Sequence, residues 1–244
     1  MAVAAARLVR DGDILFAGTG LSVLAAALAR RLKANSSVVF FETGGIDPSM
    51  AEIPLSVADP RVMTGTSVNC SLVDAFCFLG HPKLTVVAFL GAAQVDPYGN
   101  LNSTAIGDYN KPQIRLPGSG GACDAATLAS RVIVFMKHEK RRFVTRLDYL
   151  TSPGWLTGGQ SREQAGFKRG GPLAVVTDLA VLKFDQQTRH MYLDEYFQGV
   201  TPTLVVENTG FELDISRAQP APPPSKEELA ILREQVDPQR LILG

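Results

Sequence analysis

The strongest constraint on this chain is a strand, a glycine break, a helix and a second strand, read in order from its first forty-one residues. Asp13-Ile14-Leu15-Phe16-Ala17 has the apolar make-up of a short strand and is broken by Gly18-Thr19-Gly20. Leu21 to Lys33 is rich in Ala and Leu and ends in Arg30, Arg31 and Lys33, cations that suit the negative end of a helix. Ser37 to Phe41 then gives a β-branched and aromatic run, with two more such runs at Leu84–Leu90 and Arg131–Met136. This is the grammar of an α/β fold with an open, mostly parallel sheet and flanking helices. Sheets of that kind bind ligands beyond the carboxyl ends of their strands. Glycine-rich or polar turns follow Ala17, Phe41 and Leu90 in this sequence.

Composition narrows the partners. Hydrophobic residues make up 45% and charged residues 20%, enough to bury a substantial core. Lys+Arg and Asp+Glu are both 24, so the basic footprint of a nucleic-acid binder is missing. The longest apolar run, Leu21–Leu28, is too short to span a bilayer, and Met1–Arg10 lacks the pattern of a signal peptide, so no membrane role is expected. Cys70, Cys77 and Cys123 are odd in number and form no C-x-x-C pair, which fits buried thiols in a reducing cytoplasm better than a disulfide framework or zinc. No metal-ligand spacing is present. The sequence reads as one domain over residues 1–244, with no convincing boundary before residue 216. A Pro-rich linker and a C-terminal helix lie at about 218–240; Ser225 and Glu228 form a capping box at the helix start.

Three segments can carry chemistry. In Phe40-Phe41-Glu42-Thr43-Gly44-Gly45 a carboxylate stands directly after a buried strand on a glycine turn. Partial desolvation there strengthens a carboxylate as a nucleophile, and the glycines allow a bulky substrate to come close. The same pattern also fits an ordinary turn or capping glutamate in water. In Pro117-Gly118-Ser119-Gly120-Gly121-Ala122 the glycine density lets successive backbone N–H groups converge on an anion or oxyanion. The helix read at Cys123–Ser130 would point its positive end the same way. A tight strand-to-helix turn that binds nothing fits equally. In Gly91–Thr104 the amides Gln94, Asn100 and Asn102 either hold a carboxylate ligand or cap their own backbone. The cationic run Lys137–Arg142 is either a solvated face or a cradle for phosphates, and the three histidines do not cluster.

Taken together, these segments resemble the β subunits of family I CoA-transferases of the glutaconate type. The matching stretches run in order: Gly18–Leu21, Glu42–Gly44, Gln94–Thr104, Ile106–Tyr109, Gly118–Ala122, His138–Phe143, Thr151–Trp155 and Glu207–Phe211. The resemblance spans about Arg7 to Leu241. It implies that Glu42 is the catalytic carboxylate. In that family it attacks an acyl-CoA to give a mixed anhydride, is converted to a glutamyl-CoA thioester, and passes CoA to a second acid by ping-pong catalysis. Gly118, Ser119, Gly120, Gly121 and Ala122 correspond to the CoA- and oxyanion-binding loop. Gly44, Gln94 and Asn102 are further candidates for substrate binding. The family also implies an active site completed by an α subunit, in a hetero-tetramer or hetero-octamer. Coenzyme A is a substrate there, and no cofactor is permanently bound. A dicarboxylate such as glutaconate or 2-hydroxyglutarate is the expected acid. Two other readings use the same scaffold: an acyl-CoA hydrolase or decarboxylase, and a β-like subunit that only completes an interface.

Overall fold

The expected alternation is present in the structure, a computed structural model that describes residues 1–50 and 52–244. The residues group into two compact units, Met1–Phe89 with Pro224–Gly244, and Leu90–Pro223. No composition shift marks the division at Leu90, because it falls inside an apolar strand.

The first unit opens with a short helix, α1 (Ala2–Leu8), where the sequence suggests only an Ala-rich terminus. β1 (Ile14–Phe16), α2 (Leu21–Leu32) and β2 (Val38–Phe40) follow, then β3 (Gly45–Ile46), β4 (Val68–Asn69), α3 (Leu72–Leu79) and β5 (Val86–Gly91). β1 lies at the centre of three parallel strands, with Ile14 opposite both Val38 and Val86. β3 and β4 extend this sheet in antiparallel fashion beyond β2.

α2 is buried along Val23–Ala29 without a break. A helix apolar on every side must be covered on every side. α1 and the C-terminal turn Ile231–Val236 both pack on it. Each fully buried leucine, such as Leu24 and Leu28, contributes about 1.5–3 kcal/mol. The C-terminal helix (Lys226–Ala230) has the expected capping box, with Ser225 accepting from the Glu228 N–H. The Glu228 carboxylate also takes a two-pronged pair of bonds from Arg7, both at 2.7 Å.

The second unit begins with two small hairpins. β6 (Gln94–Val95) pairs with β7 (Leu101–Asn102), and β8 (Ala105–Ile106) with β9 (Ile114–Arg115). α4 (Ala122–Leu128) then leads into β10 (Arg131–Phe135), which runs parallel to β11 (Pro172–Val176). β12 (Ala180–Phe184) and β13 (Met191–Tyr196) continue antiparallel, and the Pro-rich stretch adds β14 (Gln219–Pro220) parallel to β13. The result is the expected open α/β arrangement, parallel at its core and antiparallel where hairpins replace crossovers. No helix among the described residues is long and apolar enough to cross a membrane. The three cysteines are free thiols, with Cys77 exposed.

Candidate functional site

Glu42 stands at the tip of the β2–β3 hairpin. Phe41 N–H donates to Gly45 O and Gly44 N–H to Phe41 O, both at 3.0 Å, so the chain reverses over Glu42 and Thr43. Gly44 carries φ +98°, the left-handed residue that a tight hairpin with a bulge requires. The turn is also clamped from the side. Cys70 N–H donates to Gly44 O at 3.0 Å, and a Cβ on Gly44 would lie 1.9 Å from the Cys70 carbonyl oxygen. Thr43 Oγ1 donates to Val57 O at 3.1 Å. Beneath the tip, Phe40 packs on Phe16 at 5.1 Å and on Phe78 at 6.3 Å. The hairpin is thus fixed on every side except at Glu42. Its half-buried carboxylate makes no hydrogen bond and no ion pair with any described residue. A carboxylate held in place by its backbone while its oxygens stay uncommitted is free to act on an external atom.

In the second unit, Gln94 and Asn102 are buried and face each other across β6 and β7. Asn102 Nδ2 donates to Gln94 Oε1 and to Ala105 O, each at 2.7 Å, while Asn102 Oδ1 accepts from Thr104 N–H at 2.9 Å. Gln94 Nε2 donates to Asp148 Oδ2 at 2.9 Å, and the same oxygen accepts Gly107 N–H at 3.0 Å. Asn102 therefore has both amide hydrogens and its oxygen engaged within the protein. Asn100 is likewise occupied, donating to Asp96 Oδ2 and to Leu156 O, each at 2.7 Å. These amides hold loops in place.

That cluster leads straight into the glycine loop. Ser103, next to Asn102, donates its hydroxyl to Gly118 O at 2.8 Å and accepts Gly118 N–H on its carbonyl at 2.9 Å. Gly118 and Gly120 have φ of +95° and +48°, and a Cβ on either would meet nothing within 4 Å. Ala122 N–H donates to Ser119 O at 2.9 Å and Cys123 N–H to Ser119 Oγ at 3.1 Å, closing the loop onto α4. The N–H groups of Ser119, Gly120 and Gly121 donate to no described residue. Three consecutive N–H groups beside two left-handed glycines are thus left without a protein acceptor among the described residues.

In the cationic run 137–142, Lys137, Lys140 and Arg141 are exposed to solvent while His138 is buried. His138 is 4% exposed, stacked on Phe143 at 4.2 Å, and bonded through its ring nitrogens to Thr177 Oγ1 and Thr209 Oγ1 at 3.1 and 3.0 Å. Burial pushes its pKa down to about 4. Lys137 pairs with Asp178, and Arg141 and Arg142 both pair with Glu139, whose carboxyl they hold below its ordinary value.

Arg162 is a structural residue that no sequence pattern marks. It is 2% exposed, and its guanidinium donates to the carbonyls of Pro153, Gly154, Ala126, Thr127 and Arg169 at 2.8–3.3 Å. Two of these close the C-terminal end of α4, the helix whose other end carries the glycine loop. A lone arginine in a polar stretch gives no sign of this in sequence, since its acceptors are backbone carbonyls.

Residues 1–208 match the family model described as Coenzyme A transferase. The chain is 42% identical to the β subunit of glutaconate CoA-transferase from Acidaminococcus fermentans, over 97% of this chain and 91% of that one. It is 37% identical to the β subunit of 3-oxoadipate CoA-transferase from Pseudomonas knackmussii, over 96% and 90%. The crystal structure of the Acidaminococcus fermentans enzyme superposes with a TM-score of 0.96, covering 100% of this chain and 95% of that one. The decarboxylase AibA/AibB, at 23% identity, superposes with a TM-score of 0.83 over 98% of this chain and 94% of that one, which shows a shared fold.

Proposed function

The chain belongs to the coenzyme A transferase family, and from that premise we propose that Glu42 is the nucleophile through which CoA passes between two carboxylic acids. The protein is a transferase enzyme, a β-type subunit akin to those of the glutaconate and 3-oxoadipate enzymes. The observation that carries the proposal is the Glu42 carboxylate: fixed at its hairpin tip, half-buried, and uncommitted.

The chemistry is balanced without any redox step. A Glu42 oxygen attacks the thioester carbonyl carbon of an acyl-CoA, and the C–S bond breaks to release CoA thiolate and leave a mixed anhydride. The thiolate attacks the Glu42 carbonyl carbon of that anhydride, expelling the first acid as its carboxylate and leaving a glutamyl-CoA thioester. A second carboxylate reverses the two steps. Each addition places negative charge on a carbonyl oxygen. The unpaired N–H groups of Ser119, Gly120 and Gly121, with Gly118 and Ala122 framing them, support a role in binding CoA or that oxyanion. Gly44 lets the hairpin turn so tightly, and Gln94 and Asn102 position the loops that lead to Gly118. In this reading an α subunit completes the active site in a hetero-tetramer or hetero-octamer. The second acid is a dicarboxylate of the glutaconate or 2-hydroxyglutarate kind, CoA is a substrate with no permanently bound cofactor, and the enzyme works in the cytoplasm.

The test is chemical trapping. The chain, co-purified with its α subunit, is incubated with glutaconyl-CoA and treated with borohydride, and its peptides are mapped by mass spectrometry. A modification confined to the Glu42 peptide is expected, absent in Glu42→Gln, whose turnover falls roughly 10⁴-fold or more. Thioester consumption with no adduct would replace transfer by hydrolysis or decarboxylation.

A further inference from the structure

The second unit contains a cleft of about 530 Å³, a size typical of small-molecule sites, whose walls include Trp155, Lys183, Asp185, Arg189, Tyr192 and Arg217. Two guanidinium groups lie over aromatic rings there, Arg189 at 4.2 Å from the Trp155 centroid and Arg217 at 4.5 Å from that of Tyr192. Their other commitments differ. Arg217 is paired with Asp185 at 2.7 Å, and Lys183 with Asp194 at 2.7 Å. Arg189 has no hydrogen-bond or ion-pair partner for its guanidinium among the described residues. Its contact with the Trp155 ring face leaves the guanidinium N–H groups to be satisfied by something else.

The backbone is strained at the same place. Arg189 has φ +61° and Leu156, directly after Trp155, has φ +53°. Left-handed geometry is unfavourable for long side chains, and glycine would relieve it at no steric loss. At the hairpin turn between β12 and β13, where Arg189 N–H donates to Asp185 O at 3.0 Å, glycine would be the ordinary choice. The chain instead carries there the side chain that brings an unpaired guanidinium to the cleft. The cleft is also separate from the glycine loop: Trp155 neighbours Arg162, 6.0 Å from its ring, and Arg162 closes the far end of α4.

We propose that this cleft is a second binding site, taking a small molecule whose carboxylate or phosphate group is gripped by the N–H edge of Arg189. A bidentate guanidinium–oxyanion contact is the pairing that an unpartnered arginine held over an aromatic ring supplies.

The test uses the complete complex with its α subunit and three probes, inorganic phosphate, ADP and glutarate, each titrated calorimetrically. Trp155, the chain's single tryptophan, gives an optical readout at the site, with Trp155→Phe as its control. At least one probe is expected to bind saturably to the native complex, and Arg189→Gly to weaken that binding at least tenfold. Because glycine removes the strained φ, the same variant is expected to melt no lower than the native complex and to keep its transferase activity. Which probe binds distinguishes a phosphate from a carboxylate ligand. If none binds, or if Arg189→Gly binds as tightly as the native protein, the proposal is overturned.

Discussion

Gly44→Ala tests whether the hairpin turn is what presents Glu42. Two penalties combine. A non-glycine residue at φ +98° costs about 1–2 kcal/mol. The new Cβ would stand 1.9 Å from the Cys70 carbonyl oxygen, and real contacts do not fall below 3.0 Å, so the two segments must part by at least 3.0 − 1.9 = 1.1 Å. That movement stretches the Cys70 N–H bond to Gly44 O, now 3.0 Å, a further loss of about 1 kcal/mol. The sum is about 2–3 kcal/mol, or roughly 4–12 °C in melting temperature for a chain of this length. The catalytic consequence is larger, because a 1 Å displacement of a reacting group lowers rate about a hundredfold. The measurement is a thermal melt of the complex together with kcat/KM for transfer. Gly120→Ala is the control: its φ is +48° and nothing lies within 4 Å of the new methyl, so only the backbone penalty applies to its stability. A Gly44→Ala complex that melts within about 2 °C of native and keeps kcat/KM within roughly threefold would refute the reasoning.

Two further outcomes follow from groups buried in the second unit. The His138 pKa falls from an ordinary 6.5 to about 4 on folding, so the unfolded chain binds a proton that the folded one refuses; stability is full above pH 6.5 and declines by about 3 kcal/mol as pH drops towards 4. Denaturant midpoints taken every half unit across that window should show the decline in the native protein and a flatter profile in His138→Asn. Arg162→Met leaves five carbonyls without a donor and should lose about 3–5 kcal/mol, with Arg162→Lys recovering only part because an ammonium cannot fork to so many acceptors; melting curves read the order native, Lys, Met.

The features legible in sequence are those written in short-range patterns. The strand–glycine–helix–strand run at residues 13–41 predicts β1, α2 and β2 because periodicity and breaks are local. The Ser225–Glu228 box predicts a helix start for the same reason. Glu42 stands out because an apolar strand ends directly at it. The hairpin that holds it does not, since Cys70, which clamps Gly44, is far along the chain and in a segment with no distinguishing pattern. The amides at 94 and 102 look the same in sequence whatever they face; the cross-strand pairing of β6 with β7 and the approach of Asp148, which give them partners within the protein, are not written locally. His138 reads as surface because Lys137, Glu139, Lys140, Arg141 and Arg142 surround it, yet Thr177, Thr209 and Phe143 enclose its ring. Arg162 and Arg189 carry no pattern at all, because what defines them is carbonyl geometry in one case and a strained φ in the other.

The first unit is discontinuous. Its opening residues Met1–Phe89 are joined by Pro224–Gly244, with Leu232 and Val236 buried and Arg7 clasping Glu228 across 221 positions of chain. During synthesis the chain grows from its amino end, so Leu90–Pro223 is made before the residues 224–244 that complete the unit carrying Glu42. Its helix α2 stays uncovered on the side taken by Ile231–Val236 until the last stretch is made, a wait on the order of ten seconds at ribosomal rates. The hairpin bearing the proposed nucleophile therefore belongs to a unit that is completed only once residues 224–244 are made, although its own residues are made well before them.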